Sequence, residues 1–151
     1  MRDELYETLR APRETEKEIR DLTDQIYELL WTTVPGAIRY DLPKVQTSPQ
    51  DQMAEVSAQI DLAQRRLVEL CRRKQREQDT IRQIVMRCVD LTKAERQIIR
   101  GRYIACESWE RISYDLDLTD RRVYQIHRSA CDKLEAFLWP QVHNMSTISE
   151  K

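Results

Sequence analysis

Glycine is scarce in this chain, with only two among 151 residues, and long apolar runs are absent. Sheets need more turn glycines, so this scarcity, together with 34% charged residues, favours helices with wide solvated surfaces. No run approaches the roughly 18 apolar residues of a membrane-spanning helix, and the N-terminus is charged from residue 2. We therefore expect an all-α, soluble protein of the bacterial cytoplasm or nucleoid, with no membrane contact.

Cysteine and histidine are too sparse and scattered for a metal site. No C-x-x-C pair occurs, and only two histidines accompany the four scattered cysteines. Each cysteine falls in a helical pattern, so we interpret them as reduced thiols that fill apolar positions. The sequence also has no glycine-rich phosphate loop and no nucleophile with a base at usable spacing. We expect no enzyme activity, no metal and no cofactor. The residues concerned are Cys71, Cys88, Cys106, Cys131, His127 and His143.

Charge is balanced, with 25 basic and 26 acidic side chains, and no third of the chain is strongly basic. Binding to nucleic acid would therefore have to depend on locally placed cations rather than on net charge.

The N-terminal segment, residues 1–34, is predicted to contain an amphipathic helix. From Pro12 to Val34, apolar residues recur at spacings of three and four, as in Ile19, Leu22 and Ile26. Residues 35–49 carry three prolines and no period, and we interpret them as an extended linker.

A long coiled-coil-like helix is predicted over residues 50–90. Ser48 and Pro49 are suited to the N-cap and the first helical position, and apolar residues then alternate at three and four as far as Cys88. The first helix, folded back, would cover part of this stripe but leave residues beyond about 75 unpaired. A second copy of the chain is the candidate for the remainder, so a homo-oligomer is expected. The predicted oligomerisation residues are Met53, Val56, Ile60, Leu67, Leu70, Ile81 and Ile84.

Residues 91–139 are predicted to form a three-helix module, followed by a polar tail over residues 140–151. Thr92 and Glu95 form a capping box, and Ser108 and Thr119 are suited to cap two further helices. The short turn between the second and third helices is typical of a helix-turn-helix. The helices are expected at about residues 93–104, 109–116 and 120–138, with a core of Ile98, Ile99, Tyr103, Trp109, Ile112, Leu116, Val123, Ile126, Ala130 and Leu134.

The third helix has one face suited to DNA. At 100° per residue, the face opposite Val123 carries Arg121, Tyr124, Gln125 and Arg128, which are predicted base readers. His127 lies nearer the core line and is interpreted as a packing residue, whereas Tyr124 has no expected inward contact. The predicted phosphate contacts are Arg100, Arg102, Arg122 and Thr119.

Two stretches resemble known families. Residues 91–134, "LTKAERQIIRGRYI" and then "SWERISYDLDLTDRRVYQIHRSACDKL", resemble the fourth region of bacterial primary sigma factors, a helix-turn-helix that reads a promoter element. The stretch "RYDLPKVQTSPQDQM" at 39–53 is followed by the long helix and then by this module. This order of segments resembles that of the sigma-like phage and prophage regulators of the ArpU and RinA type. Asp117 replaces the glycine common in the turn, which aspartate tolerates at positive φ. No stretch resembles the sigma regions that melt DNA.

The resemblance implies a transcriptional regulator that activates phage or prophage genes, in particular late genes, by binding double-stranded promoter or operator DNA. Bacterial RNA polymerase is a further candidate partner. Two alternatives stay open: a phage DNA-packaging protein of the small-terminase type, and a coiled-coil adaptor that binds RNA polymerase.

Overall fold

The computed structural model describes residues 2–33 and 49–140. The described residues form helices joined by turns and contain no strand, which confirms the all-α fold class. None of the described helices is long and apolar enough to span a membrane. The predicted linker, apart from Pro49, and the predicted tail, apart from Pro140, lie outside the described residues. The predicted Ser48 cap also lies outside them. The helices are α1 (Arg2–Thr33), α2 (Pro49–Arg87), α3 (Lys93–Ile99) with a π-helical extension (Arg100–Ile104), α4 (Trp109–Leu116) and α5 (Asp120–Leu138).

Helix α1 is longer than its apolar period indicated. It begins at Arg2, within the predicted segment 1–34 but ten residues before the apolar period that starts near Pro12. Pro12 lies inside the helix, where it removes one backbone hydrogen bond, and its side chain is fully buried. The turns that precede it contribute Leu5 and Leu9, which are 1% and 0% exposed, to a buried core.

The chain divides into two compact units, unit 1 (Met1–Glu14 and Lys74–Lys151) and unit 2 (Thr15–Arg73). The main core of unit 1 joins side chains from α1, α2, the α3 region and α5, so the unit that contains the helix-turn-helix extends beyond the predicted segment 91–139. Each buried Leu or Ile stabilises the unit by about 1.5–3 kcal/mol. The core consists of Leu5, Leu9, Ile81, Val85, Cys88, Leu91, Ile99, Tyr103, Ala130, Cys131 and Leu134.

Arg96 of α3 secures the end of α2 within unit 1. Its guanidinium donates hydrogen bonds to the carbonyl oxygens of Val85, Cys88 (2.7 Å) and Leu91 (3.2 Å). The last carbonyl groups of a helix have no partner within the helix, so a cation that caps them also complements the helix dipole. Arg96 thus attaches the three-helix module to the preceding helix.

Further polar contacts join the other helices of unit 1. Arg2 of α1 forms ion pairs with Asp132 and with Glu135 (3.6 Å) of α5. Gln78 of α2 donates a hydrogen bond to the carbonyl oxygen of Ile104 at 2.7 Å. Helix α5 therefore has neighbours on α1 as well as within the predicted module.

Unit 2 consists of a segment of α1 and a segment of α2. Arg73 donates a hydrogen bond to the Thr15 hydroxyl (3.1 Å) and forms an ion pair with Glu18. Thr15 and Leu70 are buried, whereas the remaining apolar residues of the predicted stripes are partly exposed, Met53 most of all. These partly exposed residues are Ile19, Leu22, Ile26, Leu29, Met53, Val56, Ile60, Ala63 and Leu67.

The predicted oligomerisation residues differ sharply in exposure. Ile81 is 0% exposed within the core of unit 1, and Ile84 packs against that core. The expectation that positions beyond about 75 lack a partner in the same chain is therefore wrong, and Ile81 has no surface to offer to a second copy. Met53 is 63% exposed, and oligomerisation through unit 2 stays a prediction.

Two cysteines depart from the expected apolar helical positions. Cys88 and Cys131 are buried, but Cys71 is exposed, and Cys106 lies in the turn before α4 with a φ of 57°. Only the first two therefore act as core fillers.

Candidate nucleic-acid interface

A capping box starts α3, as the sequence predicts. The Thr92 hydroxyl accepts from the Glu95 backbone N–H (3.3 Å), and the Thr92 N–H donates to the Glu95 carboxylate (2.7 Å). The same carboxylate accepts from Ser129 (2.7 Å) and Lys133 (2.9 Å) of α5. Burial alone would raise the pKa of Glu95, but the hydrogen bonds from Lys133, Thr92 and Ser129 lower it to about 2. Glu95 thus ties α3 to α5 as an ionised, buried group.

The turn between α4 and α5 has the geometry expected of a helix-turn-helix. Asp117 ends α4 in the left-handed region (φ 52°, ψ 45°), which confirms the positive φ expected there. Thr119 caps α5 by accepting from the Arg122 N–H at 3.3 Å, and Ser108 caps α4 by accepting from the Arg111 N–H at 3.2 Å. The caps leave the first turns of α5 well defined, which a reading helix requires.

A second core holds the helix-turn-helix together. Ile98, Ile112 and Val123 are at most 3% exposed and come from α3, α4 and α5. Gly101 allows α4 to approach closely, since a Cβ there would lie 2.7 Å from Glu107 Oε2 and 3.3 Å from Ile112 Cγ1. The predicted core is confirmed, with Trp109, Leu116 and Ile126 half-buried at its edge.

The four predicted base readers all lie exposed on α5. Arg121, Tyr124, Gln125 and Arg128 share the side of the helix away from Val123, and three of them fall in its first two turns. Arg122 donates a hydrogen bond to Gln125 Oε1 at 3.3 Å, which orients the amide group. The face therefore presents guanidinium, amide and phenol groups to solvent, and their role in reading bases stays a prediction.

Tyr124 has an inward contact, contrary to the sequence interpretation. Its ring centroid lies 4.9 Å from that of Trp109, with an interplanar angle of 48°, and the residue is 49% exposed. On Trp109, the Arg102 guanidinium carbon lies 4.5 Å from the ring centroid. The sequence interpretation assigns Trp109 only to the core, because spacing along one helix does not identify a neighbour on the facing helix.

His127 is a buried packing residue, as predicted. It is 9% exposed, its Nε2 is hydrogen-bonded to the Tyr103 hydroxyl at 2.7 Å, and its ring centroid lies 5.0 Å from that of Trp109 in a T-shaped arrangement. Burial, and secondarily the charge of Arg102, lower the pKa of His127 to about 4. His127 is thus neutral at physiological pH and adds no charge to the face.

The predicted phosphate contacts fall into two groups. Arg100 and Arg122 are exposed, so their guanidinium groups are accessible to a ligand. Arg102 donates to the Glu107 carbonyl oxygen at 2.9 Å while it covers Trp109, and burial lowers its pKa. The Thr119 hydroxyl is occupied as a cap. Arg102 therefore has a structural role that the sequence interpretation does not assign to it, whereas the cap formed by Thr119 confirms the prediction. The phosphate contacts of both residues stay predictions.

Residues 89–136, about a third of the chain, match the family model described as Sigma-70, region 4. Neither the curated proteins nor the solved structures compared with the chain gave a match. The matched range contains α3, α4 and nearly all of α5, including every predicted DNA-contacting residue. These residues form a sigma region 4-like helix-turn-helix module.

Proposed function

We propose that the protein is a sequence-specific transcriptional regulator that binds double-stranded DNA with the exposed face of α5. The observation that carries the proposal is the combination of a capped, rigidly held α5 with four outward-facing side chains whose chemistry fits base edges. Arg121 and Arg128 can donate two hydrogen bonds to guanine, and Gln125 can pair with adenine in the major groove. The match to sigma region 4 supports this assignment because that region is a DNA-binding helix-turn-helix.

The charge distribution fits a reader whose affinity comes from local contacts. The module carries nearly equal numbers of acidic and basic side chains, so its net charge provides little attraction to DNA. Arg122 lies on α5 beside the reading face, Arg100 lies in the π-helical extension of α3, and both are exposed cations that we propose contact phosphates.

The specific role that we propose is activation of phage or prophage genes, in particular late genes. It is supported by the resemblance of residues 39–53 and of the long helix to regulators of the ArpU and RinA type; residues 39–48 lie outside the described residues. We also propose that two or more copies associate through unit 2, so that two α5 helices contact repeated half-sites. Its partly exposed apolar stripe supports this association. RNA polymerase is the proposed protein partner at the promoter.

Selection of bound duplexes from a random-sequence pool by the full-length chain, followed by genome-wide mapping of bound sites, tests this function. We expect an enriched motif, found near promoters, with a half-site spacing that matches the oligomer. Binding confined to one site near a DNA-packaging origin, by a ring of many subunits, would instead identify a small-terminase function. No salt-dependent binding to any duplex would refute DNA binding and favour the adaptor function.

A further inference from the structure

We propose that Tyr124, held in place by Trp109, recognises the methyl group of a thymine in the major groove. This inference rests on the proposed function and adds to it the identity of one base, thymine, and of the side chain that contacts it. The observation behind it is a group of three side chains in contact at the edge of the reading face: the Arg102 guanidinium lies over the Trp109 ring, and the Trp109 ring lies against that of Tyr124.

Contacts with Trp109 restrain the tyrosine ring. The Trp109 ring centroid lies 4.5 Å from the Arg102 guanidinium carbon and 4.9 Å from the Tyr124 ring centroid, and the His127 ring lies at 5.0 Å in a T-shaped arrangement. Tilted aromatic pairs and guanidinium groups over tryptophan are both attractive arrangements. His127 is itself fixed by the Tyr103 hydroxyl. A ring ordered before binding loses little freedom when it meets DNA, so its contact contributes more to affinity.

The chemistry of the face favours a methyl group as the target. Arg121, Gln125 and Arg128 supply hydrogen-bonding groups, whereas Tyr124 is the one member of the face with a large apolar surface. Only thymine presents a methyl group in the major groove, and apolar side chains recognise it by contact. A phosphate contact would use the tyrosine hydroxyl, so the response of Tyr124→Phe separates the two kinds of contact.

Replacement of single thymines by deoxyuridine tests the proposal, because it removes only the methyl group. The probe is the duplex that the full-length wild-type chain selects from a random pool. At one thymine in each half-site, we expect the replacement to raise Kd about fourfold, as burial of one methyl group predicts. Tyr124→Phe should keep this response, and Tyr124→Ala should lose it.

Trp109→Ala should reduce the methyl response although Tyr124 is intact, and Trp109→Phe should largely restore it. Circular dichroism checks that each variant is folded. If Trp109→Ala does not fold, Arg102→Met provides a second test, because it removes the guanidinium that lies over the Trp109 ring. Tyr114→Ala is the matched control, since Tyr114 is an 81% exposed tyrosine on α4, and its methyl response should stay at the wild-type level.

The inference is overturned if no thymine responds, if the response survives in Tyr124→Ala, or if Tyr124→Phe abolishes it. An unchanged response in folded Trp109→Ala or Arg102→Met would overturn the positioning role of Trp109. Selection of a motif without any methyl response would refute this inference alone, whereas failure to select any motif would refute the proposed function.

Discussion

Replacing Glu95 by glutamine should remove a carboxylate that is ionised and 3% exposed between α3 and α5. The hydrogen bonds from Lys133, Thr92 and Ser129 outweigh burial and lower the pKa of Glu95 from 4.5 to about 2. A lowering of this size corresponds to about 3 kcal/mol of folding stability, at 1.36 kcal/mol per pKa unit. Glu95→Gln should therefore lower the free energy of unfolding at neutral pH by about 2–3 kcal/mol, and it also leaves Lys133 without its buried partner.

The pH dependence gives this prediction its sign. Because the pKa of Glu95 is lowered by folding, its contribution is complete above about pH 4.5 and is lost as the pH falls towards 2. Urea unfolding should be measured for the wild type and for Glu95→Gln from about pH 7 to about pH 3. The difference between their free energies of unfolding should shrink as the pH falls below about 4.5. Glu110→Gln, the same change at an exposed position of α4, is the control and should have little effect. A wild-type-to-variant difference that is constant over the whole range would refute the reasoning.

Three further predictions concern single side chains. Leu9→Ala should lower the free energy of unfolding of unit 1 by about 2–5 kcal/mol, because it opens a cavity in a core shared with α5; a loss below about 0.5 kcal/mol by urea unfolding would contradict that core. Asp117→Gly should raise stability by about 0.5–1 kcal/mol, since glycine adopts the φ of 52° without the Cβ clash, and a lower melting temperature would argue against this turn geometry. Arg100→Ala should weaken binding to all duplexes alike and reduce the slope of log Kd against log salt concentration by about 1; a loss confined to one sequence would make Arg100 a base reader instead.

The local signals of the module could be predicted from sequence because each depends on neighbouring residues. The capping box of Thr92 and Glu95, the Thr119 cap and the left-handed Asp117 all involve residues at most three apart. The apolar spacing likewise identified the core of the three helices, and angular position separated His127 from the exposed face.

Contacts between distant segments could not be predicted in the same way. Leu5 and Leu9 form too short an apolar pattern to predict that α1 includes the residues on the N-terminal side of Pro12. No local signal indicates that these two leucines pack with Ile81 and the module. The Tyr124–Trp109 contact depends on how α4 and α5 cross, which spacing along either helix does not determine. The long period of α2 identified its apolar stripe but not which of its residues the same chain covers.

The affinity of the full-length chain for its selected duplex, measured by fluorescence anisotropy, is the most direct test of the α5 face as the DNA-reading surface. Arg121→Ala combined with Gln125→Ala should raise Kd at least about 30-fold, since each base contact contributes about 1–3 kcal/mol. Gln64→Ala combined with Arg65→Ala removes the same groups from exposed positions of α2 and should leave Kd nearly unchanged. Light scattering would check that the oligomeric state is the same in all three proteins. Equal Kd values for the wild type and the Arg121/Gln125 variant would contradict the assignment of α5 as the reading helix.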